Sequence, residues 1–195
     1  MAESYKTYMA SMTFTAPTNW GFLGGSTLSG CVINGYNSSL AAPADETSLW
    51  VGTTLTTPVT GLKFGACYDY ILQGGPQASG AGGGYANCVG LYASFQATEK
   101  LSFYARGEYG STDLGVFGPA TGENGHAVAA TGVIETTATV QYDLWKNVLS
   151  RLEFRWDHAE HGNMYGGTVA PITGTASTAT GNNYFTLLAD IAYKF

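Results

Sequence analysis

Charge is scarce in this sequence: Asp, Glu, Lys and Arg make up only 11% of its 195 residues, against about 25% in an ordinary soluble domain. Long apolar runs are missing as well. None approaches the roughly 20 residues that a membrane helix needs. Cysteine is limited to Cys31, Cys67 and Cys88, which form no dense disulfide framework and no CxxC metal spacing. Histidine is limited to His126, His158 and His161. The net charge is −6 with no basic stripe, which excludes nucleic acid as a partner. The N-terminus, Met1-Ala2-Glu3-Ser4-Tyr5-Lys6, has no charged start followed by an apolar core, so no signal peptide is read there. For an exported protein this points to a mature, recombinant or truncated chain.

What is present explains the scarcity. Gly (27) and Tyr (13) are abundant, and 45% of the residues are apolar. Overall hydropathy is nonetheless near zero. A chain that meets lipid through strands needs only every other residue apolar. The last segment, Tyr184 to Phe195, shows that period. Phe185, Leu187, Ala189, Ile191, Tyr193 and Phe195 take one face; Thr186, Leu188, Asp190, Ala192 and Lys194 take the other. In Leu149 to His158, Arg151, Glu153, Arg155 and Asp157 alternate with Leu152, Phe154 and Trp156. A period of two is strand geometry, not helix.

The same alternation predicts seven earlier strands, with apolar faces at Tyr8, Ala10, Met12 and Phe14; Leu28, Gly30 and Val32; and Val51 and Leu55. Then come Leu62, Phe64, Ala66, Tyr68 and Tyr70; Val89, Leu91, Ala93 and Phe95; and Leu101, Phe103, Ala105 and Tyr109. Ile134, Ala138, Val140 and Tyr142 complete the set. Segments 25–37 and 47–57, rich in Gly or Thr, carry the weakest signal. Short turns fall at 58–61, 98–100 and 145–147; long Gly/Ala/Ser/Thr-rich loops fall at about 38–46, 73–85, 110–132 and 160–182. Short turns on one rim and long loops on the other are the outer-membrane barrel pattern. The expected fold is an all-β, antiparallel, up-and-down transmembrane β-barrel, residues 1–195 forming one domain. Single-chain bacterial barrels have even strand numbers. Nine strands therefore mean that the first segment is no barrel strand or that an odd number lies upstream. The second reading makes this the C-terminal portion of a larger barrel.

The stretch Tyr142-Asp143-Leu144-Trp145-Lys146-Asn147-Val148-Leu149-Ser150-Arg151-Leu152-Glu153-Phe154-Arg155-Trp156-Asp157-His158 carries a family likeness. It resembles the penultimate hairpin of the OmpL-like β-barrel porin family. Thr57-Pro58-Val59-Thr60-Gly61-Leu62 and Gln96-Ala97-Thr98-Glu99-Lys100-Leu101-Ser102 add to it. The ending Ile191-Ala192-Tyr193-Lys194-Phe195 is similar to the last strand of outer-membrane proteins generally. The resemblance covers most of this chain but only part of a usual member, which is longer at its N-terminus. It implies an outer-membrane channel of no established substrate. It also implies that Phe195 belongs to a signal read by the barrel-assembly machinery.

Candidate chemistry is limited. His158 and His161 with Asp157 and Glu160 are ordinary metal-ligand types. Yet residues 157 and 158 of a strand face opposite sides, so a solvated loop mouth is the expected role. No Gly-x-Ser-x-Gly elbow occurs, and no strand serine has a histidine in register. Neither an enzyme nor a cofactor or metal is expected. Gly82-Gly83-Gly84 lacks the Lys-Ser/Thr of a phosphate loop. Cys67 and Cys88 lie on the polar face of neighbouring strands; a disulfide and a pair of small lumen residues both remain open.

The ionic residues are the main constellation. Lys63, Asp69, Arg106, Glu108, Glu135, Asp143, Arg151, Glu153, Arg155, Asp157, Asp190 and Lys194 all take the polar face by alternation. In a water-filled lumen they would line the pore and tune its selectivity; paired across strands they would stiffen the wall. Leu152, Phe154, Trp156, Ile191, Tyr193 and Phe195 are expected to face lipid. The leading function is a porin passing ions and small polar solutes, with outer-membrane lipid around it and homo-oligomers left open. An adhesive or structural barrel with a plugged lumen is the rival. A soluble β-sandwich is a third reading, and it requires the Trp156 face to be buried in protein.

Overall fold

A computed structural model of the chain describes residues 6–37, 44–74, 84–112, 119–121, 127–129, 132–160, 162–166 and 180–194. Nine strands form one antiparallel sheet in chain order. They are β1 (Tyr8–Thr15), β2 (Thr27–Asn37), β3 (Ala44–Thr56), β4 (Leu62–Gln73), β5 (Gly84–Gln96), β6 (Leu101–Thr112), β9 (Gly132–Trp145), β10 (Val148–Glu160) and β11 (Asn183–Tyr193). A separate two-stranded hairpin, β7 (Pro119–Thr121) and β8 (Ala127–Ala129), sits in the β6–β9 connection. The alternation had suggested only loop at 110–132. A long excursion still has backbone donors and acceptors to satisfy, and part of this one pairs with itself.

The weakly patterned segments are strands too. β2 pairs with β3 from Thr27↔Thr54 to Asn37↔Ala44. Their glycines and threonines dilute the apolar alternation, but both neighbours supply a full ladder. The first segment is also a strand: β1 pairs with β2 along its whole length, Tyr8↔Asn34 to Thr15↔Thr27.

The sheet is open, with β1 and β11 at its edges. Nine antiparallel strands put the first and last in the same direction, both running from the long-loop rim to the short-turn rim. At that rim the turns are tight. Lys146 and Asn147 connect β9 to β10 with Asn147 at φ 65°, and a register shift follows at Val148/Leu149. Gly61 closes the β3–β4 turn at φ 82°, and a Cβ there would lie 2.6 Å from the Gln96 carbonyl oxygen. Only glycine meets both demands. The β1–β2 connection, also on this rim, is longer and contains a 3-10 turn at Gly21–Leu23.

No large side chain is fully buried among the described residues. Among the described residues only Ala16, Val148 and Ala159 are buried hydrophobic residues. The apolar faces predicted from the alternation instead point outward along the sheet: Leu91 is 63% exposed, Leu187 69% and Ile191 73%. Leu152, Phe154 and Tyr193 are exposed beside them, and Trp156 is half-buried. Phe195 lies outside the described residues. A soluble sandwich is overturned here, because among the described residues nothing packs against the face it would bury.

Candidate functional site: the ionic face of the sheet

The hydrogen-bond register decides which side chains are neighbours. Glu108 stands opposite Glu135, which stands opposite Asp157. One polar-face step toward the short turns, Arg106 and Arg155 flank Thr137. Three carboxylates side by side on adjacent strands would repel, and the arginines answer them diagonally. Arg106 Nε donates to Glu135 Oε2 at 2.9 Å and lies 3.8 Å from Glu108. Arg155 forks onto Asp157, with Nε to Oδ2 at 2.8 Å and an Nη to Oδ1 at 2.7 Å, and reaches Glu135 at 3.9 Å. Thr137 donates to the other Glu135 oxygen. Glu135 and Asp157 are thereby buried yet fully partnered.

Aromatic residues on this face escaped the sequence reading, Tyr92 and Trp50 among them. Tyr92 sits opposite Arg106 and donates to Glu108 at 2.7 Å. Its ring lies over Gly90, where a Cβ would come within 2.8 Å of the Tyr92 hydroxyl and 3.0 Å of the Cys67 sulfur. Trp50 lies over Gly52 in the same manner. The signal was available as parity, since 50 and 92 fall on polar-face positions of their strands. Tyr165, beyond β10, stacks on Tyr184 at 5.7 Å. Burial, reinforced by the nearby Asp157 charge, pushes its phenol above the ordinary range.

Nearer the short turns the network loosens. Arg151 pairs with Asp190 directly across β10 and β11, at 3.1 Å, and both are about half exposed. Glu153 accepts from Thr139 at 2.9 Å, and Asp143 accepts from Gln141 at 3.2 Å. Lys63 and Asp69 share β4, and Lys194 follows β11 with its backbone N–H on the Asn147 oxygen. A cleft of about 280 Å³ opens among Lys63, Tyr104, Arg106 and Glu153. Eleven of the twelve ionic residues named from the alternation thus share one face by register, and Lys194 continues the parity of β11 one residue past its last pair. Glu46, opposite Gln73, joins them and had been overlooked.

The remaining candidates do not assemble. Asp157 and His158 diverge: His158 lies on the apolar face, its Nδ1 2.9 Å from Asn183 Oδ1, which also accepts the Trp156 indole N–H. Glu160 accepts from Tyr109, again on that face. His126 and His161 lie outside the described residues. Among the described residues no three potential ligands could hold a metal ion. Cys67 stands opposite Gly90 and Cys88 opposite Asp69, a diagonal offset too wide for a disulfide. All three cysteines are free thiols.

An antiparallel up-and-down sheet with an apolar outer face, short turns on one rim and an ionic face opposite has the pattern of a transmembrane β-barrel wall. Residues 5–195 match the family described as "Putative beta-barrel porin-2, OmpL-like", and the chain belongs to that family. It is an outer-membrane porin of channel type. No curated protein matches the sequence. Among solved structures, a NanC porin in a rhombohedral crystal form aligns with all of this chain and 96% of its own, at 11% identity and a TM-score of 0.47.

Proposed function

We propose that the ionic face lines a water-filled channel that passes ions and small polar solutes with a modest preference for cations. The observation that carries this reading is the composition of the face. Glu46, Asp69, Glu108, Glu135, Asp143, Glu153, Asp157 and Asp190 stand against Lys63, Arg106, Arg151, Arg155 and Lys194. The carboxylates outnumber the cations by three, and a ring of fixed negative charge enriches cations in a pore. Passage is passive and needs neither catalysis nor a cofactor. In planar bilayers under a salt gradient, the reversal potential should take the sign of a cation-preferring pore. A porin that does not conduct would end this reading and favour a plugged, adhesive barrel.

Two further assignments belong with it. The apolar face, including Leu152, Phe154, Trp156, Ile191 and Tyr193, meets lipid, and the terminal segment through Phe195 is read by the barrel-assembly machinery. The open edges take an odd number of further antiparallel strands, because β1 and β11 run the same way and an unpaired edge is costly in lipid. The chain is then the C-terminal portion of a larger barrel. Cysteines placed at Ala10 and Ala189 should not crosslink within one molecule. A ready intramolecular crosslink would mean that β1 and β11 close directly as a parallel pair.

A further inference from the structure

The charges of the ionic face are ordered along the strands as well as gathered on one side. On β4, Lys63 lies at the short-turn end and Asp69 nearer the long loops. On β6, Glu108 lies one polar-face position beyond Arg106 toward the long loops. On β10 the order from the short turns is Arg151, Glu153, Arg155 and Asp157, a base-to-acid step taken twice. Lys194 follows the short-turn end of β11, with Asp190 above it. Every described strand that presents both signs on this face therefore has a base as its charge nearest the short turns and an acid as its charge nearest the long loops. β3 and β9 present only acids, with Glu46 and Glu135 close to their long-loop ends and Asp143 the exception.

Ion pairing does not erase the order. Arg106 reaches toward the long loops to find Glu135, and Arg155 does the same to find Asp157. Each pair is neutral in sum but keeps a dipole along the strand, and the two dipoles point the same way. Among the described residues only Arg151 and Asp190 pair level with each other.

We infer that the channel is an ionic rectifier, with an acidic mouth beneath the long loops and a basic belt toward the short turns. This rests on the ionic face lining the pore. The acidic mouth fills with cations and the basic belt with anions. When the long-loop side is positive, both populations are driven toward the junction between them, and the ion density there rises. Reversed polarity draws them apart and depletes the junction. The larger current therefore flows with the long-loop side positive. Rectification needs charge layers that reach across the lumen. The Debye length is about 30 Å at 0.01 M salt and about 3 Å at 1 M, so the effect fades as salt rises.

The test is current against voltage in symmetric KCl, with the porin inserted in planar bilayers. Its orientation is assigned by streptavidin capture of a biotin placed in the β10–β11 connection. At equal and opposite voltages the current ratio should be on the order of twofold near 0.01 M and fall to about one at 1 M. Lys63→Asp combined with Asp69→Lys reverses the order on β4 at constant net charge. Neither side chain makes a hydrogen bond or ion pair among the described residues. That swap should lower the ratio. Should it fail to fold, Lys63→Gln with Asp69→Asn removes the β4 dipole and should lower the ratio too. A conducting porin with linear current at low salt overturns the rectifier and leaves the pore standing. So does a larger current at the opposite polarity, or a ratio that neither variant moves. A porin that does not conduct overturns the pore lining, and the rectifier with it.

Discussion

Replacing Leu152 with Arg separates a lipid-facing sheet from a water-facing one. Leu152 lies mid-strand on β10, opposite Val140 and Ala189, and is already 50% exposed. If water covered this face, a charged residue at an exposed strand position would change stability by no more than about 0.5 kcal/mol. Against lipid the same change costs about 2–4 kcal/mol near the bilayer midplane and about 0–1 near the interface. At about 1.4 kcal/mol per tenfold, the midplane figure is roughly a 30- to 700-fold loss in the folded-to-unfolded ratio. Tyr193→Arg places the same charge on the same face near the short-turn rim, and Thr139→Arg places it on the ionic face. Urea unfolding in phospholipid vesicles, followed by tryptophan fluorescence, should rank Leu152→Arg well below both. Equal, small effects at all three positions would refute the membrane assignment of this face.

Three more outcomes follow from particular residues. Arg151→Gln with Arg155→Gln removes two of the five cations of the face and should shift the reversal potential further toward cations. Gly61→Ala should lower the urea midpoint by the equivalent of about 1–3 kcal/mol, because its φ is 82° and its Cβ would press on the Gln96 carbonyl. Deleting Phe195 should reduce the amount of porin recovered from membranes in cells while leaving refolding in detergent unchanged; equal recovery would remove that residue from the assembly signal.

The fold was legible because a strand's side-chain period is short and strict. Leu152, Phe154 and Trp156 against Arg151, Glu153 and Arg155 define two faces without any knowledge of neighbours, and the register then placed all of them as the alternation required. Where alternation is diluted, as in the Thr- and Gly-rich stretch of β3, side chains carry little information. The strand exists there because backbone groups pair on both sides. The hairpin β7–β8 left no such period. Cross-strand partners were not legible at all. That Arg155 clasps Asp157 while Arg106 reaches Glu135 depends on register, and a shift by two residues would keep every side chain on its face and exchange every partner.

The outer face carries one more lesson in the same terms. Its apolar period breaks near the long-loop ends of the strands. There Asn34 donates to Asp45 and Thr47, Tyr109 to Glu160, and Trp156 to Asn183 beside His158. Polar groups outside a barrel are tolerated only where water or headgroups can reach them. The aromatic rings at this level, Tyr70 stacked on Tyr85 and Trp156 on Phe185, are amphipathic or border such groups. If the apolar face meets lipid as proposed, residues that look like faults in the alternation, His158 and Glu160 above all, mark where the hydrocarbon ends. They explain why a metal reading of this cluster was tempting in sequence: a membrane boundary gathers carboxylates, imidazoles and amides for reasons of solvation alone.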